Sequence, residues 1–276
     1  MGLGMAAMRT RPQAEQPTGR RGAPPPVLLS LAELRAKSTE EISRTLSGAG
    51  MIVDGWIIPQ DESRTFAQGR QQPIDVLVGS NKDEGSFAGN TTAIAWTNRV
   101  RQRWGDLAGD YLKLYPAGSD EEATRSSQMA FRDEMAWHMR LYASLQVKRG
   151  QRAYWYFFTH EPPYAPGARN LKATHAVEIP YVFNHLGPPR VFPDTSSPEL
   201  ASASASARAL AERVSSYWVN FARAGDPNGK GLPRWPAFSA GSDAPMIIGE
   251  IKETPDPQQL AMYDKLYAKI LAGLKE

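Results

Sequence analysis

An unbroken aromatic run places the strongest constraint on the fold of this sequence. It reads Ala-Tyr-Trp-Tyr-Phe-Phe-Thr over residues 153–159. A strand with one face in water alternates polar and apolar residues, whereas a strand of a parallel sheet is covered on both faces and is apolar throughout. The run therefore predicts a strand buried inside a parallel sheet, as in α/β proteins.

A second buried strand is predicted at residues 74–78, where Ile-Asp-Val-Leu-Val is followed by glycine and later by asparagine, both typical of turns. Two carboxylates, Asp83 and Glu84, follow this strand. In open α/β sheets, functional groups lie on loops after the carboxyl ends of strands, so both are candidate site residues. Spacing does not choose between them, and a solvated acidic turn is the alternative for both.

Helix signals surround these strands. Ser30-Leu-Ala-Glu33 and Ser38-Thr-Glu-Glu41 have the form of capping boxes and predict two short helices, the second ending at Gly48. Longer helices are predicted after Ser119, before Gly225 and after Asp256. With a short strand at 246–248, the sequence predicts about three strands and five or six helices in α/β order. Three strands are too few for the sheet that so many helices imply.

Composition excludes several classes of protein. The chain has 276 residues, of which 41% are hydrophobic and 22% charged, as is usual for a soluble globular protein. No run of 18 apolar residues occurs, so a membrane span is not expected, and no signal peptide is recognised. The absence of cysteine excludes disulfides, thiolate catalysis and zinc–thiolate sites. Localisation stays undetermined.

The net charge of +3 lies entirely in the first 26 residues, which contain four arginines and a single carboxylate, Glu15. The remaining residues carry 28 basic and 28 acidic side chains. They offer no basic stripe for phosphate groups, so nucleic acid is not an expected partner. We predict that residues 1–30 form a disordered, basic and proline-rich leader.

The sequence contains four histidines that could serve as a general base. A triad needs an imidazole that meets the nucleophile with one nitrogen and a carboxylate with the other. His138 lies beside the apolar face of a predicted helix, where a packed or surface role is typical, and His185 has no signal for chemistry. His160 ends the aromatic strand and His175 lies in the loop that follows, and the local pattern does not separate them.

A metal site is the competing interpretation of these residues. His175 with Glu178, or His160 with Glu161, could bind an ion. Residues three apart share a face only in a helix, and Pro180 disfavours a helix there. No third ligand is identifiable, so no metal or other cofactor is predicted. Glu178 is interpreted as a structural partner of the histidine.

Four segments resemble type-B carboxylesterases, the cholinesterase-like α/β-hydrolases, and occur in that family's order from roughly residue 31 to the end. Residues 78–87, Val-Gly-Ser-Asn-Lys-Asp-Glu-Gly-Ser-Phe, resemble the segment that carries the acidic triad member. Residues 175–183 fit the family's histidine segment, His-x-x-Glu-x-Pro-Tyr-x-Phe. The other two are Asp-Gly-x-x-x-Pro at 54–59 and the helix and loop at 220–236, which contain Asp-Pro-Asn-Gly.

This resemblance implies both a fold and a pair of site residues. It selects Glu84 as the acid of a triad and His175 as its base. The fold class it implies is α/β, as the C-terminal part of an α/β-hydrolase fold, with few and mostly parallel strands, many helices, and the N-terminal half of the sheet missing. Residues 31–276 would form the C-terminal portion of a type-B carboxylesterase domain.

The sequence also departs from the family. It contains no Gly-x-Ser-x-Gly nucleophile elbow and no glycine-rich loop for oxyanion donors, both of which lie in the family's N-terminal half. The resemblance therefore implies a serine esterase that retains acid and histidine but is inactive alone. Its expected partners are a small carboxylic ester in the intact parent and a separately encoded N-terminal esterase half. The alternative is a non-catalytic, esterase-like interaction module or a gene relic.

Overall fold

The computed structural model describes residues 30–45, 53–164, 167, 169–186, 204–239 and 244–274. Two compact units divide the chain between Thr65 and Phe66. The predicted leader falls outside the described residues except for its last position, and so does the predicted helix end at Gly48. Both stay predictions.

The first unit contains two short capped helices, α1 (Leu31–Arg35) and α2 (Thr39–Thr45). At Ser30 the hydroxyl accepts from the Glu33 backbone N–H at 3.2 Å, and the Ser30 N–H donates to the Glu33 carboxylate at 2.7 Å. The corresponding bonds at Ser38 measure 3.3 and 2.9 Å. Both capping boxes predicted from the sequence are confirmed. A third helix, α3 (Glu62–Ala67), crosses the boundary between the two units and was not predicted.

The second unit is built on a parallel sheet of three strands in the order β1-β2-β3. These are β1 (Val76–Asn81), β2 (Ala153–Phe158) and β3 (Met246–Ile248). Every residue of β2 is buried, which confirms the interpretation of the aromatic run. Parallel pairing aligns Asn81 with Phe158, and Phe158 with Ile248. The loops after all three strands therefore begin at one edge of the sheet.

The predicted bounds of β1, residues 74–78, are wrong by two to three residues. Ile74 is half exposed and precedes the strand. The strand continues through Gly79, which pairs with Tyr156 on β2 at very short range. A Cβ at this position would overlap the ring and carbonyl of Tyr156. Glycine is thus required by close packing between strands, and it marks no turn at this position.

Helices cover the sheet. On one side, Leu210, Val214 and Tyr217 form the main core with Tyr156 and Trp235. A 29-residue helix packs against β1 and β2. The residues of β2 that alternate with those of the main core are buried as well, so both faces of this strand are covered. The helices among the described residues that follow β1 are α4 (Ala93–Trp104), α5 (Ala108–Leu114), α6 (Asp120–Lys148), α7 (Ile179–Val182), α8 (Ala205–Ala224) and α9 (Pro257–Gly273).

Pro180 disfavours a helix across residues 175–178, and these residues form turns in the structure. Helix α7 begins at Ile179 with Pro180 in its first turn, where a backbone N–H has no intrahelical partner to lose. His175 still precedes this helix. Within the described ranges, no helix is both long enough and apolar enough to cross a membrane.

Candidate active site

The turn after β1 carries the first component of the site, the Glu84 carboxylate. Its Oε1 accepts the backbone N–H of Asn81 at 2.9 Å, and the Glu84 side chain is only 5% exposed. Gly85 lies so close to α6 that a Cβ there would overlap the backbone of Gln128. The turn is therefore held between the end of β1 and the backbone of α6.

His175 lies in the loop after β2 and meets this carboxylate. Its Nδ1 is 2.6 Å from Oε2 of Glu84, and its ring lies 6.0 Å from that of Phe87 between centroids. Two hydrogen bonds join the loops: the Asp83 N–H donates to the carbonyl of Ala173 at 3.0 Å, and the Ala173 N–H donates to the Asp83 side-chain carboxylate at 3.2 Å. The histidine is thus fixed to the acid by its own side chain and by its loop.

The electrostatics of the pair favour a charged imidazole. The hydrogen bond to Glu84 raises the pKa of His175, against the opposing effect of partial burial, and the charges of Glu84 and Glu178 add to the increase. A carboxylate on Nδ1 keeps the proton on that nitrogen in the neutral ring and leaves Nε2 to accept another proton. The His175 side chain is 39% exposed, so a reactant can approach it.

Asp83, the other carboxylate that the sequence left open, belongs to an ion-pair network. Lys82 lies 2.9 Å from Asp83 and 2.8 Å from Glu161, and its side chain is 8% exposed. Hydrogen bonds to these carboxylates raise the pKa of Lys82, although burial opposes the charged form. The network joins the turn after β1 to the loop after β2.

His160, the histidine that local pattern could not separate from His175, has a different partner. Its Nδ1 lies 2.9 Å from the carboxylate of Glu250, the second residue after β3, and the residue is 8% exposed. His138 is buried on α6, and burial lowers its pKa to about 3. His185 is exposed. Among the four, His175 is the one that the structure brings to Glu84.

Sequence reasoning missed Asn81, the last residue of β1. Its side-chain nitrogen donates to the carbonyl of Thr174 at 2.8 Å and to Oε2 of Glu178 at 2.5 Å. Asn81 is 1% exposed, and burial raises the pKa of Glu178. The available signal was an amide side chain at the end of a strand, directly before an acidic turn.

No cluster of three His, Asp or Glu side chains suited to a metal ion is found in the described part of the chain. Two cavities of about 400 and 150 Å³ lie elsewhere. The larger is lined by residues such as Asn90 and Asp120, and the smaller by residues such as Tyr217 and Ile248. Neither includes Glu84 or His175.

Comparisons with known proteins identify the family. Residues 28–268 match the model of the carboxylesterase family. Human cocaine esterase is 32% identical over 230 residues, which is 74% of this chain and 39% of that protein. Fumonisin B1 esterase of Sphingopyxis macrogoltabida is 34% identical over 194 residues, or 68% of this chain and 35% of that protein.

The fold agrees with this match. A solved PNB esterase superposes with a TM-score of 0.57 at 24% identity, covering 78% of this chain and 42% of that one. The architecture is therefore that of an α/β-hydrolase, of which this chain contains a small parallel sheet and many helices. The chain spans about two fifths of the length of human cocaine esterase and of the PNB esterase. The match extends over most of its residues, and the chain belongs to the carboxylesterase family.

Proposed function

We propose that this chain supplies the acid and the base of a serine esterase that cleaves small carboxylic esters by acyl transfer. The observation that carries the proposal is the 2.6 Å bond between His175 Nδ1 and a buried carboxylate of Glu84. Both side chains follow strands at the same edge of a parallel sheet. The names of the relatives, human cocaine esterase and fumonisin B1 esterase, support an ester as substrate.

In this mechanism a serine hydroxyl attacks the ester carbonyl while Nε2 of His175 takes its proton. The same nitrogen then gives the proton to the departing alcohol, and in the second half it activates a water that releases the acid. Glu84 holds the ring and stabilises the imidazolium. Because the bond to Glu84 raises the pKa of His175, the neutral base forms at a higher pH than in free histidine.

The nucleophile and the oxyanion donors are, in our proposal, supplied by an N-terminal esterase segment outside these 276 residues. The sequence has no Gly-x-Ser-x-Gly segment and no glycine-rich oxyanion loop. Each oxyanion donor contributes roughly 2.7–4 kcal/mol to catalysis in known cases. We therefore expect these residues alone to have no esterase turnover.

The test measures p-nitrophenyl ester hydrolysis by the purified chain, alone and after co-expression with the nucleophile-bearing N-terminal segment of a related esterase. We expect no turnover by the chain alone and measurable turnover by the complex. The His175→Ala variant should abolish the turnover of the complex, whereas His185→Ala should leave it unchanged. His185 is a matched control because it is an exposed histidine ten residues after His175, on the other side of helix α7. If the chain alone hydrolyses the ester and this activity depends on His175, the proposal that the nucleophile lies outside these residues is refuted.

The second candidate is a non-catalytic interaction module or a gene relic, which the missing nucleophile motif favours. A retained bond between Glu84 and His175 argues against it, because an adhesion surface has no use for a buried carboxylate–imidazole pair. The coding DNA upstream separates the two. A reading frame with Gly-Glu-Ser-Ala-Gly-like text supports the esterase, and an unrelated gene supports the module or relic.

A further inference from the structure

We propose that Asn81 and Glu178 form a positioning pair for His175, in which Asn81 keeps Glu178 charged and Glu178 acts as a second anionic support for the imidazolium. The inference rests on the proposed function, because it assigns roles to residues around the same base. Neither residue touches a reacting atom in this assignment. Both act through His175 and the loop that carries it.

The geometry places Asn81 between two carboxylates that come from separate loops. Its backbone N–H donates to Glu84 at 2.9 Å, and its side-chain nitrogen donates to Glu178 at 2.5 Å and to the carbonyl of Thr174 at 2.8 Å. Thr174 directly precedes His175. One residue, fixed at the end of a hydrogen-bonded strand, therefore holds the acid and both sides of the histidine loop.

The chemistry of the side chain explains why an amide occupies this position. Both N–H groups of the Asn81 amide point at acceptors, one a carbonyl and the other a carboxylate. A rotated amide would direct its oxygen at both acceptors, so the two contacts also determine its orientation. Aspartate would add a third carboxylate beside Glu84 and Glu178, and alanine would provide no donor.

The charge of Glu178 depends on this donor. Burial raises the pKa of Glu178, and the hydrogen bond from Asn81 acts in the opposite direction by stabilising the carboxylate. The charge of Glu178 in turn favours the imidazolium of His175, after the larger effect of Glu84. The remaining charged groups of the turn, Lys82 and Asp83, pair with each other.

The test follows the pH dependence of acylation of His175 by diethylpyrocarbonate, which reacts with the neutral ring, with each histidine peptide quantified by mass spectrometry. This assay needs neither the serine nor turnover, and micromolar chain suffices. We expect the titration midpoint of His175 to fall by about half a pH unit in Glu178→Gln and in Asn81→Ala, which is about a threefold change in the ratio of neutral to charged ring. Exposed His185 serves as the internal reference for the reagent.

Asn220→Ala is the matched control. The Asn220 side chain also donates to two carbonyls, at 3.2 and 3.4 Å, but these belong to Pro227 and Asn228. We expect its loss to leave the midpoint of His175 unchanged. Glu178→Gln retains the shape of the side chain and keeps the proposal testable if Asn81→Ala fails to fold.

Three outcomes separate the claims. A lower melting temperature in Glu178→Gln and Asn81→Ala without any shift at His175 would assign both residues a purely structural role and overturn the inference. If Glu84→Gln shifts the midpoint while Glu178→Gln does not, the positioning pair fails and the proposed esterase site stands. If Glu84→Gln produces no shift either, the acid–base pair of the proposed function fails as well.

Discussion

At the scale of single residues, the site depends on one buried carboxylate whose two oxygens have different partners. Oε1 of Glu84 accepts from the Asn81 backbone, and Oε2 meets His175. A buried carboxylate is stable only when its lone pairs are hydrogen-bonded, because desolvation opposes its charge. The strand end therefore anchors the oxygen that faces the sheet and leaves the other to orient the imidazole.

Glu84→Gln tests this arrangement through the pH dependence of stability. The bond to Glu84 raises the pKa of His175 above its usual value of about 6.5. A group whose folded pKa is raised stabilises the fold fully below its unfolded pKa, and this contribution is lost as pH rises through the folded pKa. We expect the variant to lose more stability near pH 6 than near pH 9, in urea unfolding followed by tryptophan fluorescence.

The control for this measurement is Glu121→Gln. Glu121 pairs with Arg125 on the surface of α6, where ion pairs contribute about 0–1 kcal/mol. We expect a small effect there at both pH values. Equal losses for Glu84→Gln at pH 6 and pH 9 would contradict the assigned coupling to His175.

Part of this site could be predicted from the sequence, and part could not. Carboxylates after a buried strand are visible as a local pattern. The choice between Asp83 and Glu84 is not, because neighbouring side chains point in different directions and each meets a residue about 90 positions away: the backbone of Ala173 for Asp83 and the ring of His175 for Glu84. The Glu84 role as triad acid stays a proposal that the resemblance supplied.

At the scale of secondary-structure elements, the acid turn is shaped by its approach to α6. A Cβ on Gly85 would overlap the carbonyl of Gln128, so only glycine lets the turn lie against the helix backbone. The helix cannot yield easily, because its interior carbonyls are fixed by intrahelical hydrogen bonds. The glycine after Glu84 therefore sets the distance between the acid and the helix.

Gly85→Ala should move the turn and destabilise the second unit. Overpacking of this kind typically costs about 1–3 kcal/mol. The matched control is Gly89→Ala, because a Cβ at Gly89 meets no atom within 4 Å and a change there should stay within about 0.5 kcal/mol. Urea unfolding measures both variants. Equal stability of the two would show that the turn relaxes away from α6 without penalty.

The helix and strand bounds that could be predicted from the sequence are those set by neighbouring residues, and bounds set by residues far along the chain could not be predicted. Helices with side-chain caps, such as α1 and α6, were predictable because the cap lies within four residues of the helix start. The bounds of β1 were not, because Gly79 is accommodated by Tyr156 of another strand. Helix α7 was missed because a single turn gives no periodicity to detect.

At the scale of the whole molecule, β1 lies at an edge of the described sheet although both its length and its composition suit an interior strand. The backbone N–H of Val76 donates to the carbonyl of Arg152, directly before β2, at 2.9 Å, and that of Lys82 donates to the carbonyl of Phe158, the last residue of β2, at 2.8 Å. By alternation, the N–H groups of Leu77 and Gly79 point to the open side. Unpaired edges of this kind favour aggregation, so we expect poor solubility when no N-terminal segment docks.

The last prediction uses proline to test whether that edge is where the missing segment binds. Leu77→Pro removes one outward N–H and keeps the β1–β2 ladder, whereas Leu77→Ala removes the side chain that packs on the core and keeps the N–H. In sedimentation velocity we expect Leu77→Pro to aggregate less than Leu77→Ala. Upon co-expression with an N-terminal esterase segment, Leu77→Pro should fail to form an active complex while Leu77→Ala retains one. Aggregation and complex formation that are identical in the two variants would place the docking surface elsewhere, because both lack the leucine side chain and they differ at the edge in that N–H and in the proline ring that replaces it.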